Sequence, residues 1–166
     1  VKSAKVAKNS ARSRIMEASY ERGAAKQQLL EAAMTLLERA IELKPEDAEV
    51  WYMLGALNGE RELVDEMNKH FAKCLELKKG DKFLKKGVDV TGGSPYLRGG
   101  INFTRQRLWT AFFNKGVRSL NGGKADEAIA NFKTAIKVTP DHPATYKALG
   151  KVYVNYGRDS LDTALD

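Results

Sequence analysis

The chain has 166 residues, 43% of them hydrophobic and 30% charged, which is typical of a folded domain or a short repeat array. Because no long apolar run is present, we expect no transmembrane segment. The single cysteine, Cys74, excludes an internal disulfide framework and slightly favours the cytoplasm. Since the chain begins at Val1, an N-terminal signal would be missing from it, and a periplasmic or exported location stays open.

The net charge of +7 is concentrated in two segments. Residues 1–30 carry seven Lys and Arg against two Glu, and residues 78–108 carry eight against two Asp. Such segments could bind a polyanion, either a nucleic acid or an anionic surface. We favour ordinary solvated surfaces, because no nucleic-acid motif is present and aromatic residues are not interleaved with the N-terminal basic residues.

Residues 10–45 are predicted to form a first helix pair. Its second helix ends before Pro45, a residue that cannot continue a helix. Small and large apolar residues mark that helix at helical spacing: Ala33, Leu37 and Ala40. The opening helix has a weaker pattern, with Glu17, Tyr20 and Glu21 where later copies have an aromatic residue, a large apolar residue and glycine.

Residues 48–81 are predicted to form a second pair with the same pattern. Met67, Phe71 and Cys74 each follow an equivalent residue of the first pair by 34 positions. The opening helix carries Trp51, Leu54 and Gly55. Cys74 holds the position of an alanine in the first copy, so we expect a small buried core residue there and not a nucleophile.

Residues 82–108 interrupt this period by 27 positions. Gly92-Gly93 and Gly99-Gly100 predict a loop, and Ile101 to Leu120 is predicted to be helical. A phosphate-binding loop is not expected, because no Gly-Lys-Ser/Thr follows the glycines. The insertion is therefore predicted to be a loop plus an extension of the next helix.

Residues 109–142 restore the pattern as a third pair, and residues 143–166 begin a fourth copy that is truncated after one helix. Phe112 and Gly116 follow Trp51 and Gly55 by 61 positions, which is one period of 34 plus the 27 inserted residues. The second-helix marks of the third copy obey the same spacing: Ala128, Phe132 and Ala135. Tyr146 and Gly150 follow Phe112 and Gly116 by 34.

These marks resemble the tetratricopeptide-repeat (TPR) family. The resemblance implies an all-α, right-handed solenoid of antiparallel helix pairs, with residues 1–166 as a single array. Glycines such as Gly55 and Gly116 would let two helices of a pair approach closely, while large residues fill the space around them. The resemblance also implies a scaffold or adaptor that binds proteins.

No residues suggest catalysis, a cofactor or a metal. His70 and His142 are the only histidines, and neither has a second ligand at metal-binding spacing. Clustered carboxylates near Glu60 fit a helix start, where the helix dipole favours them. We therefore expect a protein that is not an enzyme.

In the TPR family a peptide or partner helix lies in a concave groove lined by the first helix of each pair. Transferring these positions predicts a groove made of eight residues: Tyr52, Ala56, Glu60, Phe113, Val117, Asn121, Lys147 and Lys151. Two alternatives stay open. Phe113, Val117 and Leu120 could pack on the inserted loop or on neighbouring helices instead. The last helix could also mediate self-association into a homo-oligomer through Leu149, Val152 and Tyr156.

Overall fold

A computed structural model describes residues 3–88 and 95–162 of the chain. The chain divides into two compact units, Val1–Thr104 and Arg105–Asp166. Because the boundary falls within one long helix, that helix contributes to both units. The assignment of residues 1–166 to a single array stays a prediction.

The first helix pair consists of α1, Ala4–Ala18, and α2, Gly23–Leu43. The Ser3 side chain caps α1 by accepting a hydrogen bond from the Val6 backbone at 3.3 Å. The buried face of α1 has helical spacing: Ala7, Ala11, Ile15 and Ala18. The predicted alignment of this helix is wrong, because α1 ends before Tyr20, whose side chain is 75% exposed in the turn that follows.

The second pair consists of α3, Ala48–Glu60, and α4, Val64–Glu76. The Asp47 side chain caps α3 by accepting from the Glu49 backbone at 3.2 Å. A Cβ atom at Gly55 would lie 2.4 Å from the Phe71 ring, so only glycine permits this approach of α4 to α3. Cys74 is buried, as expected, and burial raises the pKa of its thiol to about 12.

The segment after α4 consists of short elements. A 3₁₀ turn spans Asp81–Leu84, and a single helical turn, α5, spans Pro95–Arg98. The backbone N–H groups of Gly87 and Val88 donate to the carbonyls of Arg98 and Leu97 at 2.8 and 2.6 Å, which holds the two ends of the segment together. The predicted loop glycines 92–93 lie outside the described residues.

Three helices follow: α6, Gly100–Asn121; α7, Ala125–Val138; and α8, Pro143–Asp162. The predicted helix over residues 101–120 is therefore confirmed. The positive φ of 73° at Gly123 allows the tight turn into α7. The last four residues of the predicted fourth copy, 163–166, lie outside the described part of the chain.

The second unit has its own core around Ala128, Phe132 and Val152. A Cβ atom at Gly116 would lie 2.6 Å from the Phe132 ring, which repeats the close approach at Gly55. The three residues named above for self-association are not open in this structure: Val152 is buried, and Leu149 and Tyr156 are partly buried and pack against this core. Among the α8 residues whose burial the structure describes, the exposed large hydrophobic ones are Tyr146, Tyr153 and Val154.

The prediction of an all-α fold built from TPR-like helix pairs is confirmed, since the described residues form helices and turns with no β-strand. Within those same residues, no helix has the length and apolar character needed to cross a membrane.

Candidate functional site

Tyr52, one of the α3 residues assigned to the groove, is covered by the segment between α4 and α6. Tyr52 has no exposed surface, and its ring stacks on Phe83 at 4.8 Å between centroids. Its hydroxyl donates to the Leu97 carbonyl at 2.8 Å and accepts from the Gly100 backbone at 3.2 Å. Burial raises the pKa of Tyr52 well above its usual value, so the hydroxyl keeps its proton and remains a donor.

Two glycines shape the segment around the Tyr52 hydroxyl. A Cβ atom at Gly87 would lie 2.3 Å from that hydroxyl and 1.8 Å from the Leu97 carbonyl. Gly100 has a φ of 79°, which side-chain-bearing residues rarely adopt. With glycine at both positions, the segment packs closely against Tyr52 of α3.

This contact corrects part of the predicted groove. Tyr52 and Ala56 are both fully buried, so neither presents a side chain to a ligand in this structure. The repeat pattern contains no information about the inserted residues that cover Tyr52.

Glu60 lies at the end of α3 and pairs with a different helix. Its carboxylate is 2.9 Å from the Lys26 ammonium of α2, and its side chain is 15% exposed. Glu60 also lines a cleft together with Gln27, Leu30 and Arg61. It is therefore close to a surface cleft, where a cation already balances its charge.

Basic side chains of α1 pair with carboxylates at the start of α3. The Lys8 ammonium lies 2.8 Å from Asp47 and 3.6 Å from Glu49, and the Arg12 guanidinium also pairs with Glu49. These carboxylates are about four-fifths buried, at 18% and 21% exposure. Part of the N-terminal positive charge is thus neutralised inside unit 1, which weakens the case for polyanion binding by residues 1–30.

The α6 positions of the predicted groove remain partly accessible. Phe113 and Val117 are half-buried and pack against the core of the second unit. The Phe113 ring lies 5.0 Å from that of Trp109 and 5.6 Å from that of Phe132. Asn121, one turn beyond Val117, is exposed. These residues combine a packing role with a partly open apolar surface.

The α8 positions, Lys147 and Lys151, are exposed and lie one helical turn apart. Their side chains make no ion pair with any carboxylate in the described parts of the chain. They are therefore available to an acidic group of a ligand.

Trp109 is a residue that the sequence analysis did not assign. Its indole N–H donates to the Thr145 hydroxyl at 2.8 Å, and its ring stacks on His142 at 3.6 Å between centroids. These contacts join α6 to the start of α8 beside Phe113. The sequence could have indicated this residue, because Trp109 precedes Phe113 by one helical turn. It was not assigned because it lies at the boundary of the predicted insertion.

The two histidines contact other side chains of the fold: His70 contacts Asn58, and His142 stacks on Trp109. His70 lies 3.1 Å from the Asn58 amide, and burial lowers the pKa of its imidazole. Over residues 3–88 and 95–162, no group of three or more His, Cys, Asp or Glu side chains is placed to hold a metal ion.

Comparison with known proteins identifies one part of this arrangement. A family model described as a TPR repeat matches residues 120–157, which cover the end of α6, all of α7 and most of α8. A search of curated proteins gives no match. Residues 120–157 are therefore similar to a tetratricopeptide repeat, and this similarity supports a general role as a protein–protein interaction scaffold.

Proposed function

We propose that this protein binds a peptide or partner helix along the accessible faces of α6 and α8. The observation that carries the proposal is the combination, within the matched repeat and the helix before it, of a partly open apolar surface and unpaired lysines. Phe113 and Val117 supply the apolar surface, and Lys147 and Lys151 supply the charge. Interfaces commonly combine an apolar centre with a polar rim that sets specificity.

This chemistry defines the ligand class. An apolar side chain of the ligand would cover Phe113 and Val117, while an acidic side chain would approach the two lysines. The side-chain amide of Asn121 could donate a hydrogen bond to the ligand backbone or accept one from it. The scaffold role involves no catalytic step, and we propose that the protein is not an enzyme.

A displayed random-peptide library, panned on the chain, tests this proposal. Selected peptides should bind the Lys151→Glu variant at least about tenfold more weakly, because a repulsive charge replaces an attractive one. Lys133→Glu is the matched control, since Lys133 is also an exposed lysine of the second unit but lies on α7. Equal affinities of the selected peptides for wild type and Lys151→Glu would contradict the assignment of this surface.

Self-association is a second candidate function, and the surface of α8 supports it. Gly150 has no atom within 4 Å of a built Cβ, whereas Gly55 and Gly116 are each covered by a phenylalanine ring. Tyr146 and Tyr153, on either side of Gly150, are 50% and 48% exposed. Light scattering over a concentration series tests it: a dimer that Gly150→Glu abolishes supports self-association, and a monomer at every concentration contradicts it.

A further inference from the structure

Glu49, in the first turn of α3, lies between two adjacent clefts of the first unit. One cleft is formed by α1 and the connection between α2 and α3, and the other by the segment after α4. The first is lined by Ala4, Lys5, Lys8, Asn9, Arg12, Lys44, Asp47 and Glu49. The second is lined by Glu49, Lys82, Phe83, Lys86, Gly87 and Val88.

Positive charge predominates around this pair of clefts. Together their linings contain six cations and two carboxylates, which leaves a net charge of +4. Both carboxylates are already engaged by the half-buried Lys8 and Arg12. Four further lysines are exposed and have no ion pair with the described carboxylates: Lys5, Lys44, Lys82 and Lys86.

The insertion is what gives the site its second side. Lys82 and Lys86 come from residues that the repeat pattern does not contain. The contacts of Tyr52 with Phe83, Leu97 and Gly100 hold this segment against α3. The same contacts that close the predicted groove at Tyr52 therefore create a basic cleft beside it.

We infer that this double cleft docks an acidic peptide segment, with carboxylates on both sides of Glu49. A carboxylate of the ligand placed directly over Glu49 would be repelled, so a neutral residue should lie there. Its acidic neighbours would then reach Lys5 and Lys44 on one side and Lys82 and Lys86 on the other. This inference concerns the first unit and does not depend on the surface proposed for α6 and α8.

A peptide fits the site better than a single-stranded nucleic acid. Nucleic-acid grooves of this kind combine a continuous basic track with exposed aromatic rings on which bases stack. Here Phe83 is 3% exposed and is stacked on Tyr52, so its ring faces are not open to a base. Asp47 and Glu49 also interrupt the basic track, and they would oppose a regular row of phosphates.

Fluorescence anisotropy tests the inference with a defined probe. The probe is a labelled peptide of alternating glutamate and glycine, acetylated and amidated at its ends, and glutamine replaces glutamate in the control peptide. We expect the acidic peptide to bind at low salt, and we expect its affinity to fall as the salt concentration rises. The glutamine peptide should not bind. Equal binding of the two peptides, or tighter binding of an oligothymidine of the same length, would overturn the inference.

A pair of double variants locates the site. Lys82→Gln with Lys86→Gln should weaken binding of the acidic peptide by about tenfold, as expected for the loss of two attractive contacts at an interface rim. Lys69→Gln with Lys73→Gln removes the same charge from exposed positions of α4 and should change affinity less than about twofold. Equal weakening by both double variants would show that net charge alone attracts the peptide, and would overturn the assignment to this cleft.

Discussion

The faces of α3 and α6 carry equivalent positions of the repeat, yet their surroundings differ. The equivalent pairs, each separated by 61 residues, are Tyr52 and Phe113, Ala56 and Val117, and Glu60 and Asn121. On α3 the first two positions are fully buried and the third is largely buried in an ion pair. On α6 the first two are half-buried and the third is exposed.

The difference teaches that equivalent positions of the repeat need not be equally accessible to a ligand. Tyr52 has a hydroxyl that both donates to and accepts from residues after α4, and it stacks on Phe83. Phe113 has no polar group, and its ring packs on Trp109 and Phe132 of the second unit. The first side chain is therefore a core residue, while the second is partly available to a ligand.

The largest expected effect is on the stability of Tyr52→Ala. Replacing a fully buried aromatic residue by alanine should lower the free energy of unfolding by about 3–5 kcal/mol. Phe113→Ala should lower it by only about 1–2 kcal/mol, because part of the Phe113 ring is already in water. Urea unfolding followed by circular dichroism measures both changes.

Tyr52→Phe is the control that separates packing from hydrogen bonding. It keeps the ring stacked on Phe83 and removes only the hydroxyl, so a loss of about 1–2 kcal/mol is expected. If Tyr52→Ala and Phe113→Ala proved equally destabilising, the contrast between the two helix faces would be wrong.

The effect of replacing glycine by alanine on stability should have opposite signs at positions covered by a phenylalanine ring and at an open position. Gly55→Ala and Gly116→Ala should each destabilise by about 1–3 kcal/mol, because the new methyl group would meet the Phe71 or Phe132 ring. Gly150→Ala should instead stabilise by about 0.5–1 kcal/mol, since alanine favours a helix and no atom lies nearby. Thermal unfolding of the three variants checks the signs, and destabilisation by Gly150→Ala would indicate that its face is covered in solution.

The sequence predicted features that depend on local, periodic contacts. The contact of Gly55 with Phe71, repeated by Gly116 and Phe132, follows from a glycine and a ring sixteen residues apart in one helix pair. The burial of Cys74 followed from the same periodicity.

The covering of Tyr52 was not predictable in this way, because its hydrogen-bond partner Leu97 lies in an insertion without a period. The helix α1 was misaligned for a related reason. Its buried face uses small residues, such as Ala7 and Ala11, in place of the aromatic and glycine marks of later copies. Small side chains carry a weaker periodic signal than a tryptophan or a glycine does.

The smallest expected effect is on the pH dependence of the free energy of unfolding. One histidine in each unit allows it to be tested, with His70 as the test and His142 as the control. His70 of the first unit and His142 of the second each lie beside a tryptophan ring, at 5.8 and 3.6 Å between centroids. Burial lowers the pKa of His70 below its usual 6.5, although Glu66 partly opposes this effect. The unfolded chain then binds more protons than the folded chain between the two pKa values, so stability should fall as pH falls from 6.5 into that interval.

His70→Gln should flatten this dependence, measured as the free energy of unfolding between pH 7 and pH 5. The matched change His142→Gln should leave the contribution of His70 in place. An unchanged pH profile for His70→Gln would mean that the imidazole is as accessible to protons in the folded chain as in the unfolded one.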